Sequence, residues 1–180
     1  LSYHDHVLEA RKNNYLCSIH VENHNSKQEV IGIAFLDIST GEFLTSQGNW
    51  EYIAKLLQGF QPSEIIYNKR YYSVLTGIKE PRDEQADYFL KEVCEDFATY
   101  PIENWIYTAD YAFEKLTKNF NTKSLKGFGI DKMPAAIIAS GAVLYYLDLT
   151  EHKKTFHIRQ VSRLEESKYM WLDKFTIINL

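Results

Sequence analysis

An α/β domain built on a mixed sheet, with three antiparallel strands first and βα units after them, flanked by helices, is the fold class that the sequence predicts. Three features predict it. Runs suited to pleated strands succeed one another at Tyr15–Val21, Val30–Ile38 and Glu42–Ser46, separated by polar or glycine-containing segments. A helical period then intervenes at Trp50–Leu57 before another short strand, Glu64–Tyr67, and a strand that follows a helix in the same sheet lies parallel to an earlier one. Two longer helical patterns, Ala109–Phe120 and Pro134–Thr150, supply a covering layer.

Each element has its own signal. Tyr15 to Val21 is rich in residues that fit a pleated surface, and the polar segment Glu22 to Glu29 reads as a loop. Val30 to Ile38 is apolar at both alternating sets of positions, the mark of a central strand covered on two faces. Ser39-Thr40-Gly41-Glu42 places a glycine where a turn needs positive φ. Asn49 is an N-cap for the helix from Trp50, with Glu51 near its N-terminus, Ile53, Leu56 and Leu57 at helical spacing and Gly59 as its stop. From Glu80 to Asp96 seven acids face only Arg82 and Lys91, which predicts a solvated stretch, helical from Tyr88.

Thr108 caps the helix Ala109–Phe120, whose Ala112, Phe113, Leu116 and Phe120 are expected to be buried while Glu114, Lys115 and Lys118 face outward. Pro134 suits the first turn of the last helix, with Ile137, Ile138, Leu144 and Leu147 on apolar faces and Gly141 permitting close packing. His157 to Glu166 alternates as an extended linker. The order βββαβ followed by helices, on a mixed sheet, is that of a ribonuclease H-like domain.

Composition bounds the function. The 180 residues suit one domain with a tail, and 45% hydrophobic with 14% aromatic residues provides a packed core. Twenty Lys and Arg against 24 Asp and Glu leave a net charge of −4, which argues against a binder whose nucleic-acid affinity comes from a basic field. The most apolar stretch, Pro134 to Leu149, is shorter than the ~20 apolar residues of a membrane span, so no membrane association is expected. Cys17 and Cys94 stand far apart without a CxxC or CxxH neighbour, and a reducing cytoplasm is the expected compartment. The chain opens at Leu1 with no initiator Met and stops at Leu180 inside an apolar run, so an excised piece of a longer protein is expected.

Catalytic chemistry lacks its parts. A ribonuclease H-type nuclease needs carboxylates clustered on the sheet to hold two divalent metals, yet the first strand carries Cys17, Ser18 and His20. Asp37 reads as a turn acceptor for backbone N–H groups. A nuclease or resolvase with an atypical metal site is therefore the rival reading. His4-Asp5-His6 puts two imidazoles on one side of an extended segment but brings no further ligand. Gly127-Phe128-Gly129 completes neither GxGxxG nor GxxxxGK[ST]. No catalytic, metal or cofactor residue is predicted. Lys115, Lys118, Lys123, Lys126 and Lys132, interleaved with Phe120 and Phe128, read as a solvated face, a protein-docking surface or a contact to a DNA backbone.

Several runs in fixed order carry a family likeness: Asn13-Asn14-Tyr15-Leu16, Gly32 to Phe43 (GIAFLDISTGEF), Leu57 to Tyr67 (LQGFQPSEIIY) and Leu125-Lys-Gly-Phe-Gly129, then Ala139 to Leu147 and Met170 to Leu180. Together they resemble the connector domain, domain II, of the MutS family of DNA mismatch repair proteins, running into the start of the lever, or core, domain. The resemblance implies a lead-in linker at 1–13, a ribonuclease H-like connector without nuclease activity at 14–150, and a linker and lever start at 151–180. It implies a whole protein that is a homodimeric clamp on mismatched duplex DNA, uses ATP with Mg to become a sliding form and recruits MutL. The family's mismatch-reading Phe-x-Glu and its Walker motif belong to other domains, and neither run occurs here. The connector's role would be to link neighbouring MutS domains and to rotate on the linkers Leu1–Asn13 and His157–Glu166, exposing a surface for MutL. The resemblance places that surface at Glu114 and Lys115, while Lys118, Lys123 and Lys126 are expected, from the basic stretch itself, as further contacts to partner or DNA backbone.

Overall fold

The computed structural model describes residues 14–22, 29–79, 85–150 and 157–165. Strands β1 (Tyr15–Glu22), β2 (Val30–Asp37) and β3 (Phe43–Gly48) form an antiparallel meander, with Tyr15 opposite Asp37 and Ile31 opposite Gly48. Helix α1 (Trp50–Phe60) returns the chain to β4 (Glu64–Asn68), which pairs parallel with β1. The one-turn helix α2 (Tyr72–Leu75) and helix α3 (Gln85–Val93) precede β5 (Thr99–Ile102), parallel to β4. Helices α4 (Ala109–Phe120) and α5 (Pro134–Thr150) come next, and β6 (Ser162–Arg163) closes the sheet, whose order is β5-β4-β1-β2-β3-β6. This is the mixed, helix-flanked α/β sheet of ribonuclease H-like type that the sequence predicts.

Strand alternation sorts side chains into two layers. Leu16, Ala34, Leu36 and Phe43 pack under α4 and α5. Cys17, Ile19, Ile33 and Phe35 pack on the other face, under α1 and α3. Since β2 is buried on both faces, its continuous apolar run needs no further explanation. Helix α5 lies on the sheet at a distance set by Gly32, where a β-carbon would stand 2.0 Å from the Ala135 carbonyl oxygen. Its open N-terminus is capped from β3, where the Gln47 side-chain oxygen accepts from the N–H groups of Ala135 and Ala136.

Local expectations differ from the structure in five places. Helix α1 runs through Gly59, because Phe60 stacks on Phe35 with ring centroids 4.2 Å apart, and Gln61 ends it in the left-handed region at φ 45°. Helix α3 begins at Gln85 rather than Tyr88, and its Asp87, Phe89 and Leu90 are buried, so the acidic stretch is not a wholly solvated one. Strand β5 carries no alternating signal in its four residues and contains Pro101, which an edge strand tolerates. On α4, Phe113 is exposed and Lys115 is half-buried, so the inner stripe is Ala112 and Leu116 with Tyr111 and Phe120 beside them. The segment after α5, expected as an extended linker, supplies the sixth strand.

Candidate docking surface

Helix α4 presents the candidate surface. Thr108 begins the helix by accepting the Tyr111 N–H on its side-chain oxygen, and Asn121 ends it at φ 52°. Ala112 and Leu116 turn inward, which leaves Asp110, Phe113, Glu114 and Lys118 along the outer side. Phe113 is 48% exposed. Just before the helix, a 3-10 turn at Asn104–Ile106 holds Trp105 out from the domain at 58% exposure. Its indole meets Tyr111 and Tyr145 edge to face at centroid distances of 5.5 and 5.9 Å, and the two tyrosines meet each other at 6.1 Å. Tyr100 of β5 and Tyr146 of α5 stack nearby at 6.4 Å.

Both lysines of α4 are paired off. The Lys118 ammonium lies 2.6 Å from a Glu114 carboxylate oxygen, and that hydrogen bond and charge hold the Glu114 carboxyl below its usual range. Lys115 bonds Asp148 of α5 and so ties the two helices together. Burial, with Tyr145, Asp148 and Glu114 nearby, pushes the Tyr111 phenol up to about 12. Lys118 and Lys123 line a shallow cleft of 340 Å³ just past the end of α4, while Lys126 and Lys132 are exposed in the segment beyond. The lysines expected as one basic stretch are thus divided between ion pairs and a loop.

Elsewhere the sequence candidates take structural places. Ser18, at the middle of β1, is buried with its hydroxyl 2.9 Å from the Tyr107 hydroxyl, whose pKa burial raises. His20 stacks on the Tyr107 ring and lies 3.0 Å from Glu22. Asp37 accepts the N–H groups of Ser39 and Thr40, the turn role read from the sequence. Gly127-Phe128-Gly129 is part of a 3-10 turn ending at φ 74°. Both cysteines are buried free thiols, and His4-Asp5-His6 lies outside the described residues. Among the described residues no three or more His, Cys, Asp or Glu side chains come together as a metal-holding group, and no helix is long and apolar enough to cross a membrane.

The sequence reading missed Trp105 and Tyr145. A tryptophan standing in the aperiodic run Glu103-Asn104-Trp105 was the available signal, since no helical or strand face claims it.

Residues 14–159 match the family model described as MutS domain II. Over all 180 residues the chain is similar to the DNA mismatch repair proteins MutS of Flavobacterium johnsoniae, at 48% identity, and Cytophaga hutchinsonii, at 45%. It is 41% identical to the MutS of Bacteroides fragilis, again across its full length. The chain spans 18%, 19% and 19% of those three relatives, less than a fifth of each.

Proposed function

Because this chain belongs to the MutS family as its domain II, we propose that it serves as a non-catalytic connector, joining a mismatch-binding part of the whole protein to its lever and ATPase parts, and offers the outer side of α4 to MutL. The whole protein would be a homodimer on mismatched duplex DNA. No GxxxxGK[ST] run occurs in these residues, so the ATP and magnesium of that protein would be held outside this chain.

One observation carries the docking reading. Trp105 stands exposed against Tyr111 on one flank of α4 and Phe113 is exposed on the other, with Glu114 on the outer side between them and both lysines of the helix paired. Trp is among the residues that dominate interface energies. Glu114 lies between the two flanks on the outer side of α4, where a charge sets orientation and association rate. Lys115 supports the surface from behind through Asp148, and Lys118, Lys123 and Lys126 extend it as contacts to partner or DNA backbone.

The test is a titration of the whole protein, on a mismatched duplex with ATP, against the N-terminal domain of MutL. Trp105→Ala together with Phe113→Ala should weaken binding by about tenfold or more, since a buried aromatic anchor is worth ~2 kcal/mol. Unchanged affinity would overturn the assignment of this face.

A further inference from the structure

After α5 the chain passes around the edge of β3, from one face of the sheet to the other. Ile158 and Val161 are buried in the layer under α4 and α5. Leu164, only six residues beyond Ile158, is buried in the opposite layer under α1 and α3. Between them Ser162 and Arg163 run parallel to Leu44 and Thr45.

Backbone groups are tied down at both ends of this passage. The Asn119 side-chain amide of α4 donates to the Ile158 carbonyl at 2.8 Å. The Leu164 N–H donates to the Thr45 carbonyl at 2.8 Å, and the Ser46 hydroxyl donates to the Leu164 carbonyl at 3.2 Å. Ser46 also lies 2.9 Å from the Tyr52 hydroxyl, which links the same point to α1.

A hinge has few buried apolar contacts and backbone hydrogen bonds open to water. Residues 157–165 have the reverse, with Ile158, Val161 and Leu164 each at most 3% exposed and divided between two cores. Around the strand Ser162–Arg163, sliding by one residue would turn Val161 and Leu164 away from their layers, so the local register is pinned as well.

We propose that residues 157–165 are a clasp fixed to both faces of this domain, and that they do not act as the hinge when the domain reorients against the lever side of the whole protein. A rotation of the domain then carries residue 165 with it, so the segment transmits motion where a linker would absorb it. The functional half of this inference rests on the connector reading, whereas the docking of the clasp does not.

Two measurements test it. In the chain Leu1–Leu180, hydrogen exchange at the Leu164 amide should be slowed by about 100-fold or more relative to an unstructured peptide. Val161→Ser with Leu164→Ser should abolish that protection while β1 and β2 keep theirs. Exchange at the unstructured rate in the unsubstituted chain would overturn the clasp.

In the whole protein, Leu44→Cys with Ser162→Cys places a thiol pair across the β3–β6 register. The disulfide should form on mild oxidation, and the oxidised protein should recruit the MutL N-terminal domain with ATP within about twofold of the reduced form. A loss that reductant reverses would place the hinge inside the segment and overturn the proposal. Failure of recruitment in the unsubstituted protein would count against the connector reading alone, and the exchange result would still decide on the clasp.

Discussion

Gly141 of α5 and Ala112 of α4 meet backbone to backbone, so closely that a β-carbon on Gly141 would stand 2.6 Å from the Ala112 Cα and 2.7 Å from its Cβ. Alanine is favoured over glycine inside a helix by ~1 kcal/mol, yet here the added methyl has no room. Gly141→Ala is expected to cost a net of about 1–3 kcal/mol through overpacking. Urea denaturation would measure it, and a gain in stability would show that α4 slides on α5 without penalty. The same substitution should weaken binding on the outer side of α4, since that helix must shift to admit it.

A second prediction concerns the polar knot between β3 and α5. The Thr45 and Ser140 hydroxyls lie 2.9 Å apart and both reach the buried Ala136 carbonyl, while Thr45 alone also reaches that of Ile33. Each hydroxyl brings one proton, so they depend on each other. Thr45→Val and Ser140→Ala should each cost about 1–2 kcal/mol, and the double variant should cost less than the sum by ~0.5 kcal/mol or more. Strict additivity in a denaturation cycle would show the two act independently.

Alkaline pH should loosen the fold. Burial raises the Cys17 thiol well above its ordinary value, with Cys94 adding to it, and burial pushes Cys94 up to about 12. Burial likewise raises Tyr107, and Tyr67 is pushed up to about 12. Each group holds its proton more tightly when folded. Its contribution is complete below the unfolded pKa and declines as pH rises, from about 8.5 for thiols and about 10 for phenols. Stability measured from pH 7 to 11 should therefore be flat at first and fall above about pH 9. Neither cysteine should react with a thiol reagent at pH 8 until denaturant is added.

Glu114 and Lys115 can be told apart by experiment. Lys115 is half-buried and paired with Asp148, and reversing its charge would set two acids together, so lost binding could come from a displaced helix. Lys115→Met should instead cost ~0.5–1 kcal/mol of stability, the ordinary value of a partly exposed ion pair, and leave partner affinity nearly unchanged. Glu114→Gln should do the opposite, slowing association with the partner and leaving the denaturation midpoint nearly in place. A thermal melt beside a kinetic binding assay reads both.

The sequence carried most of the sheet because its central strands are specified by burial on both faces. Tyr15 to Asp37 and the Gly41 turn specify an antiparallel strand pair in the middle of a covered sheet. Strand β5 was hidden because four residues with a proline cannot alternate enough to register, and β6 because a two-residue strand is defined by its neighbour's edge rather than by its own composition. The place of Lys115 was illegible for a related reason. Helical spacing assigns it outward, and only Asp148, 33 residues further on, turns it back. Exposure of Trp105 comes from a 3-10 turn that no periodicity announces, so the strongest feature of the candidate surface was also the least visible in the chain.

Trp105 gives this domain a built-in optical label. Of the three tryptophans, Trp50 opens α1 on the other side of the sheet and Trp171 lies outside the described residues, while Trp105 stands in water against two tyrosine edges. A protein seated on α4 would dry that indole and shift its emission to the blue, whereas one approaching from α1 would leave it unchanged. Which side of the molecule is occupied could thus be followed in real time, without attaching a dye to either buried thiol.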